Sequence, residues 1–427
     1  MRFALASPVV VALVIASLAF PRDEVPPAPP TALDQQRIVY VTDSFGIVTR
    51  LGDGSGRDRI AGGGDATAGV QAQPLAQQLA TYTWPTWSPD GSQLVVSRVP
   101  GPGRASAALM LMKPPSPVES AIHTTRLGGL DRVADGTPHY PLWSPNGQRL
   151  TLIAPNRETS ALLLTEESLN GGDADTIAAV APLYIAWASD SNLLAIHHQR
   201  SLFIRDAHGE LFDTGRPSVR YRVPSFSADS ASLAYVAEVD GVSRLVSRDL
   251  STGDERSFAE VPVEAVFVWS LTSPHQIAIA QREEIRTPGY RGLSILDTET
   301  GDERLVYEGD VFAFWWSPDG ATLAVVASGA DGFVWMAMDA AEGTVTSIAE
   351  FIPSSDFFTC MQFFDQFAQS HKVWSADSTA VVFAGQMLDG HRPDGRDRAW
   401  VVDMTGDGSH VPLGNARAAF FVPTGAE

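Results

Sequence analysis

The chain has 427 residues, 44% of them apolar, with 36 Gly and 29 Pro. That supplies a large core and favours many short strands and turns over long helices. Fifty acidic against 30 basic residues give a net charge of −20, which argues against a nucleic-acid partner, because phosphate contacts need clustered Lys and Arg. The single cysteine, Cys360, excludes an internal disulfide and any cysteine-based zinc site.

The N-terminus differs from the rest. Arg2 precedes an apolar run over residues 3–20, and a polar, proline-rich stretch, "PRDEVPPAPP", follows. This order of charged, apolar and polar segments predicts a secretory signal over residues 1–20, with Ser17 and Ala19 as the small residues of a cleavage site. The run is also long enough to remain as a membrane anchor, and both outcomes stay open. Residues 21–36 read as a linker extended by its prolines. No later segment is apolar enough to span a bilayer, so membrane contact is expected only through this one, if uncleaved.

From residue 37 onward one motif recurs. Its copies begin at Trp87 (WSPDGSQLVV), Trp143 (WSPNGQRLTL), Trp187 (WASDSNLLAI), Phe226 (FSADSASLAY), Trp269 (WSLTSPHQIAI), Trp316 (WSPDGATLAV) and Trp374 (WSADSTAVVF). In each, the aromatic ends a first strand and fills the space between neighbouring sheets. Ser-Pro-Asp-Gly makes a tight turn, with Pro presetting φ, Asp bonding back to the backbone and Gly accepting positive φ. A β-branched run forms the next strand, and third and fourth strands follow. Four antiparallel strands per period of about 40 to 50 residues is the signature of a β-propeller blade. Three copies carry Ser in place of the turn Gly (Ser191, Ser230, Ser378), which reads as drift within a repeat.

The ends hold half-units. "RIVYVTDSFGIVTRL", from Arg37, has a second and third strand without a motif, and "ARAAFFVPTG", from Ala416, has a first strand with nothing after it. Joined, they complete one more blade. The expectation is therefore an all-β chain whose residues 37–427 form a single β-propeller. Eight four-stranded blades closed by pairing of the terminal strands are expected, with seven as the alternative.

The pattern aromatic-Ser-Pro-Asp-Gly, with a Pro two residues ahead (Pro85, Pro141, Pro224), resembles the TolB-type, WD40-like propeller repeat. The resemblance covers almost everything after Arg37. It implies an exported, non-catalytic propeller that binds protein partners, although the eight-bladed reading and the lack of a separate α/β domain depart from TolB. The repeat is also similar to the propeller of prolyl-oligopeptidase-like peptidases. Those need a hydrolase domain carrying Gly-x-Ser-x-Gly, and no such pentapeptide occurs here.

One insertion stands out, "PSSDFFTCMQFFDQFAQSHKVWS", from Pro353. Ser354 or Ser355 can cap a helix over 356–369, with Asp356 in its first turn. Phe357, Cys360, Met361, Phe364, Phe367 and Ala368 share an apolar face, and Gln362, Asp365, Gln366 and Gln369 a polar one. This predicts either a lid helix with a solvated polar face or a binding or acid–base cluster of Asp365, Gln366 and His371 at the channel mouth. Cys360 reads as a buried, inert thiol. Counting back three from the motif aromatics gives Trp84, Tyr140, Tyr184 and His371, and counting back four adds His139, Arg222 and Arg417; these are the candidate ligand-facing positions. No catalytic residue is assigned. The acidic loops NGGDAD and DGHRPDGRD lack the spacing of an EF-hand and read as turns, and the pair His197 and His198 cannot both point inward from a strand. No metal and no cofactor are expected. The function read here is an exported scaffold for a protein or glycan partner. The alternative is a channel-mouth enzyme such as a polysaccharide lyase or hydrolase.

Overall fold

The computed structural model describes residues 32–62, 81–99, 107–112, 131–135, 140–156, 159, 161–167, 174–282, 284, 289–388, 394–406 and 408–425. The expected signal or anchor, most of the linker, His139 and much of both acidic loops lie outside the described residues.

The described chain is all-β apart from a few short helical turns, and its strands pair antiparallel in sequence order. Thr81–Trp87, Leu94–Val99, Ala108–Met112 and Asp131–Asp135 make one four-stranded sheet. Each later motif copy opens the next set of strands. Among the described residues there are five four-stranded sheets and one ribbon of ten strands. The ribbon is continuous because two strands are shared. Glu303–Trp316 pairs first with Tyr290–Asp297 and then with Thr322–Ser328. Val345–Pro353 pairs with Phe333–Asp339 and, at its far end, with Ala380–Met387.

The half-units join as the sequence predicts. Ala418–Phe421 pairs with Arg37–Val41, Ile38 lying opposite Phe421 and Val41 opposite Ala418. Leu33–Gln35 form one 3-10 turn, and the buried Gln36 accepts the Ala376 N–H at 2.7 Å. The described chain therefore begins on the face that carries the motif turns.

Each turn is built from its own residues. In the first copy, Ser88 Oγ donates to Asp90 Oδ1 at 2.5 Å, and the Gln93 N–H returns to Ser88 Oγ at 2.9 Å. Three of the motif tryptophans then reach the preceding unit. Trp143, Trp316 and Trp374 donate their indole N–H to the carbonyls of Thr86, Val268 and Trp315 at 3.3, 3.1 and 3.0 Å. Each of those carbonyls belongs to the residue before an earlier motif aromatic, so the rings lock successive units into one register.

The serine exchanges are not drift. Ser191, Ser230 and Ser378 have φ of 64°, 59° and 60°, a conformation costing about 1 kcal/mol relative to Gly. Each hydroxyl oxygen accepts the backbone N–H of the Asn or Asp in the preceding turn: Asn146 at 2.9 Å, Asp190 at 3.1 Å and Asp319 at 3.1 Å. At the equivalent Gly91 a Cβ would strike the Pro423 carbonyl, and at Gly320 the Thr272 hydroxyl, so at these two copies the neighbouring turn leaves no room for a serine.

Two predictions follow from this geometry. Ser378→Ala keeps the strained φ and loses the bond, and should cost about 1 kcal/mol, whereas Ser378→Gly should be near neutral because the strain is relieved as the bond is lost. Denaturant midpoints of the two variants check this, and equal losses would contradict it. Removing residues 416–427 should abolish the single cooperative transition by stripping the partner from Arg37–Val41, while removing residues 1–31 should shift it little.

Candidate functional site

The insertion lies inside the ring of sheets. On Ala380–Met387, Ala384 O accepts the N–H of Ser354, and the N–H of Val382 donates to Val373 O. Opposite Phe383 alone, residues 355–372 leave the sheet. They form α1 (Ser355–Gln362) and α2 (Phe364–Phe367), broken at Phe363, where φ is −124° and ψ 36°. The expected single helix is thus two short ones. Ser354 is the cap, its hydroxyl accepting the Phe357 N–H at 3.1 Å.

The segment is a plug, tied to inner strands around the channel. Phe357 enters an aromatic cluster, 5.7 Å from Phe383 and 6.1 Å from Trp335, and Phe364 lies 4.8 Å from Phe314. Phe367 stacks on Trp84 at 5.0 Å and meets Tyr140 edge-on at 5.6 Å. Tyr140 Oη donates to Gln366 O at 2.5 Å. The amides of Gln366 and Gln369 both donate to Ile185 O, at 3.4 and 3.0 Å. Arg417 grips the Asp356 carboxylate through two nitrogens at 3.1 and 3.0 Å.

These contacts overturn the solvated polar face at Asp365 and Gln366, while Gln362 stays exposed. Asp365 and Gln366 are each only 6% exposed, because the break at Phe363 turns α2 down into the channel. Arg222 Nη2 lies 3.1 Å from Asp365 Oδ1, in ion-pair geometry without the alignment of a hydrogen bond. The same nitrogen donates to Tyr290 Oη at 3.1 Å, and Nη1 donates to Gln362 O. Burial holds the Asp365 carboxyl above its usual range, against the pull of Arg222. Burial also raises the Tyr184 phenol beside this pair.

The structure therefore brings together Trp84, Tyr140, Asp365, Gln366 and His371 around the plug, with Arg222 and Tyr184 beside it and Arg417 at its entrance. It sets them against one another, with Tyr140 and His371 buried. Trp84 takes φ 53° at a bulge, a strained position that lays its ring on Phe367. His371 Nδ1 is 2.7 Å from Ser370 Oγ, and its ring is 4.4 Å from Phe420. Sequence reasoning missed Tyr290, Glu264 and Arg282. Arg282 pairs with Glu264 at 3.0 Å and lies 5.2 Å over the Tyr290 ring. Glu264 stands five residues before Trp269, where a longer count back would have found it. Cys360 is buried, with its thiol pKa raised by desolvation. Among the described residues no group of three His, Cys, Asp or Glu side chains is placed to hold a metal, and no helix is long and apolar enough to cross a membrane. Beneath the plug, on the motif-turn side, a cavity of about 200 Å³ is left between Trp187, Phe226, Trp269, Gln369 and Lys372.

No family model matches the chain, and no curated protein matches its sequence. Solved structures are similar in fold. The dihydro-heme d1 dehydrogenase NirN has a TM-score of 0.55 at 11% identity, over 94% of this chain and 78% of that one. A eukaryotic initiation factor has a TM-score of 0.52 at 12% identity, over 91% and 98%. TolB from Acinetobacter baumannii is also among the neighbours, with a TM-score of 0.37 at 15% identity, over 80% and 82%. The chain has the propeller fold, and at these identities the likeness extends to fold alone.

Burial depresses the His371 pKa from 6.5 to about 3. The folded ring stays neutral while the unfolded one takes up a proton, so stability is lost as pH falls below about 6.5. Wild type should lose up to about 1.4 kcal/mol per pH unit more than His371→Phe over that range. Denaturant unfolding from neutral pH to about pH 4 checks it, and parallel profiles would contradict a buried neutral ring.

Proposed function

We propose that the chain is an exported, non-catalytic β-propeller of eight blades, serving as a binding scaffold for a protein or glycan partner. The five four-stranded sheets count as one blade each. The ribbon counts as three, its shared strands Glu303–Trp316 and Val345–Pro353 each serving two blades. The apolar run over residues 3–20 supports export.

The observation that carries the non-catalytic reading is the plug. General acid–base chemistry needs a titratable group within reach of the substrate. Here Asp365 is buried against Arg222 and His371 against Phe420. Exposed surface is left for recognition. Cell fractionation combined with turnover assays on polysaccharide and peptide substrates tests the reading. The expected result is protein outside the cytoplasm and no turnover. A cytoplasmic protein, or an activity abolished by Asp365→Asn in a folded variant, overturns it.

A further inference from the structure

We infer that the outward face of the plug, with the loop edge beside it, is the docking surface for a protein partner that brings an apolar cluster flanked by lysine or arginine. The inference rests on the binding-scaffold reading and adds where the partner sits and what it offers. The plug buries Phe357 and Phe364 yet leaves Phe358 and Phe363 each 38% exposed, and Ile352 is 36% exposed. Phe358 and Ile352 border the same turn, whereas Phe363 carries the Arg222 guanidinium 5.1 Å over its ring. Phe358 lies 6.2 Å from Phe333, and a Cβ on neighbouring Gly332 would meet Ile352 and Leu388 alike at 3.4 Å. A half-exposed phenylalanine, Phe358, on a capped helix adds little to the fold, and apolar side chains held rigid at a surface are the usual anchors of recognition. Arg417 and Ser354 already fix α1, so little ordering cost remains for a partner to meet.

Charge chooses the partner. Asp331 is exposed next to Gly332, and Glu350 accepts the Ala330 N–H at the same turn. Arg222, which also lies 5.1 Å over the Phe363 ring, is paired with Asp365, and Arg417 with Asp356. The turn beside Phe358 is thus left acidic on a chain of net charge −20, which a basic-flanked partner complements. A second copy would set acid against acid in a symmetric contact. The N-terminal segment leaves from the opposite face, where Gln36 bonds Ala376.

A benzophenone amino acid at position 358 of the full chain, in the cells that produce it, tests the inference, with the same group at exposed Phe212 as control. The expected result is a cross-link from 358 and not 212 to a different protein. That protein, once purified, should bind about tenfold more weakly to the Phe358→Gln variant and lose affinity as salt rises. An adduct to a second copy, to residues 1–31 or to nothing overturns the inference, as does a captured protein whose affinity neither change alters. In that last case the scaffold reading survives while the surface assignment fails. The substitution falls on an exposed side chain, and an unchanged melting temperature confirms an intact variant; the cross-link reads the surface without it.

Discussion

The arrangement depends on a strand that stays whole while its partner does not. Ala380–Met387 runs unbroken, and its inner neighbour is assembled from two pieces, one ending at Ser354 and the other resuming at Val373. A buried backbone group must find a partner, so the chain can leave a sheet only where few groups are abandoned. Here only Phe383 lies between the two attachment points, and on its other side it still pairs with Trp400. An entire helical segment is thereby added to the channel at almost no loss of sheet.

What enters the channel is held by polar as well as aromatic contacts, and the two do different work. The rings of Phe357, Phe364 and Phe367 supply burial, which is favourable in many orientations. The Arg222–Asp365 pair, the Tyr140 hydroxyl and the two glutamines accept only one register of the plug against the inner strands. A buried ion pair adds little net stability once desolvation is counted, and the upward shift at Asp365 has that sign. Its contribution here is orientation.

The repeat was legible because its information is local: Ser-Pro-Asp-Gly writes a turn within a few residues, and the half-units at Arg37 and Ala416 demanded each other. The serine exchanges at 191, 230 and 378 were misread, since the donor that explains each lies some forty to sixty residues upstream in the preceding turn. The helix cap and the apolar face of the insertion were also visible. Its destination was not, because periodicity distinguishes two faces of a helix without saying that both will be covered. Asp365 and Gln366 looked solvated for that reason, and the break at Phe363 left no mark in the pattern.

The pairing of Arg37–Val41 with Ala418–Phe421 imposes a delay on the nascent chain. Ribosomes release Arg37–Val41 long before its partner Ala418–Phe421, so one edge of the opening sheet waits through the synthesis of all that lies between with its hydrogen-bonding groups unmatched. A contact spanning that much sequence is slow to form, and an uncapped edge is an invitation to pair with another molecule. The protein is thus most vulnerable to self-association in the interval before Ala418–Phe421 emerges, which makes chaperone demand during production a property of its ring closure.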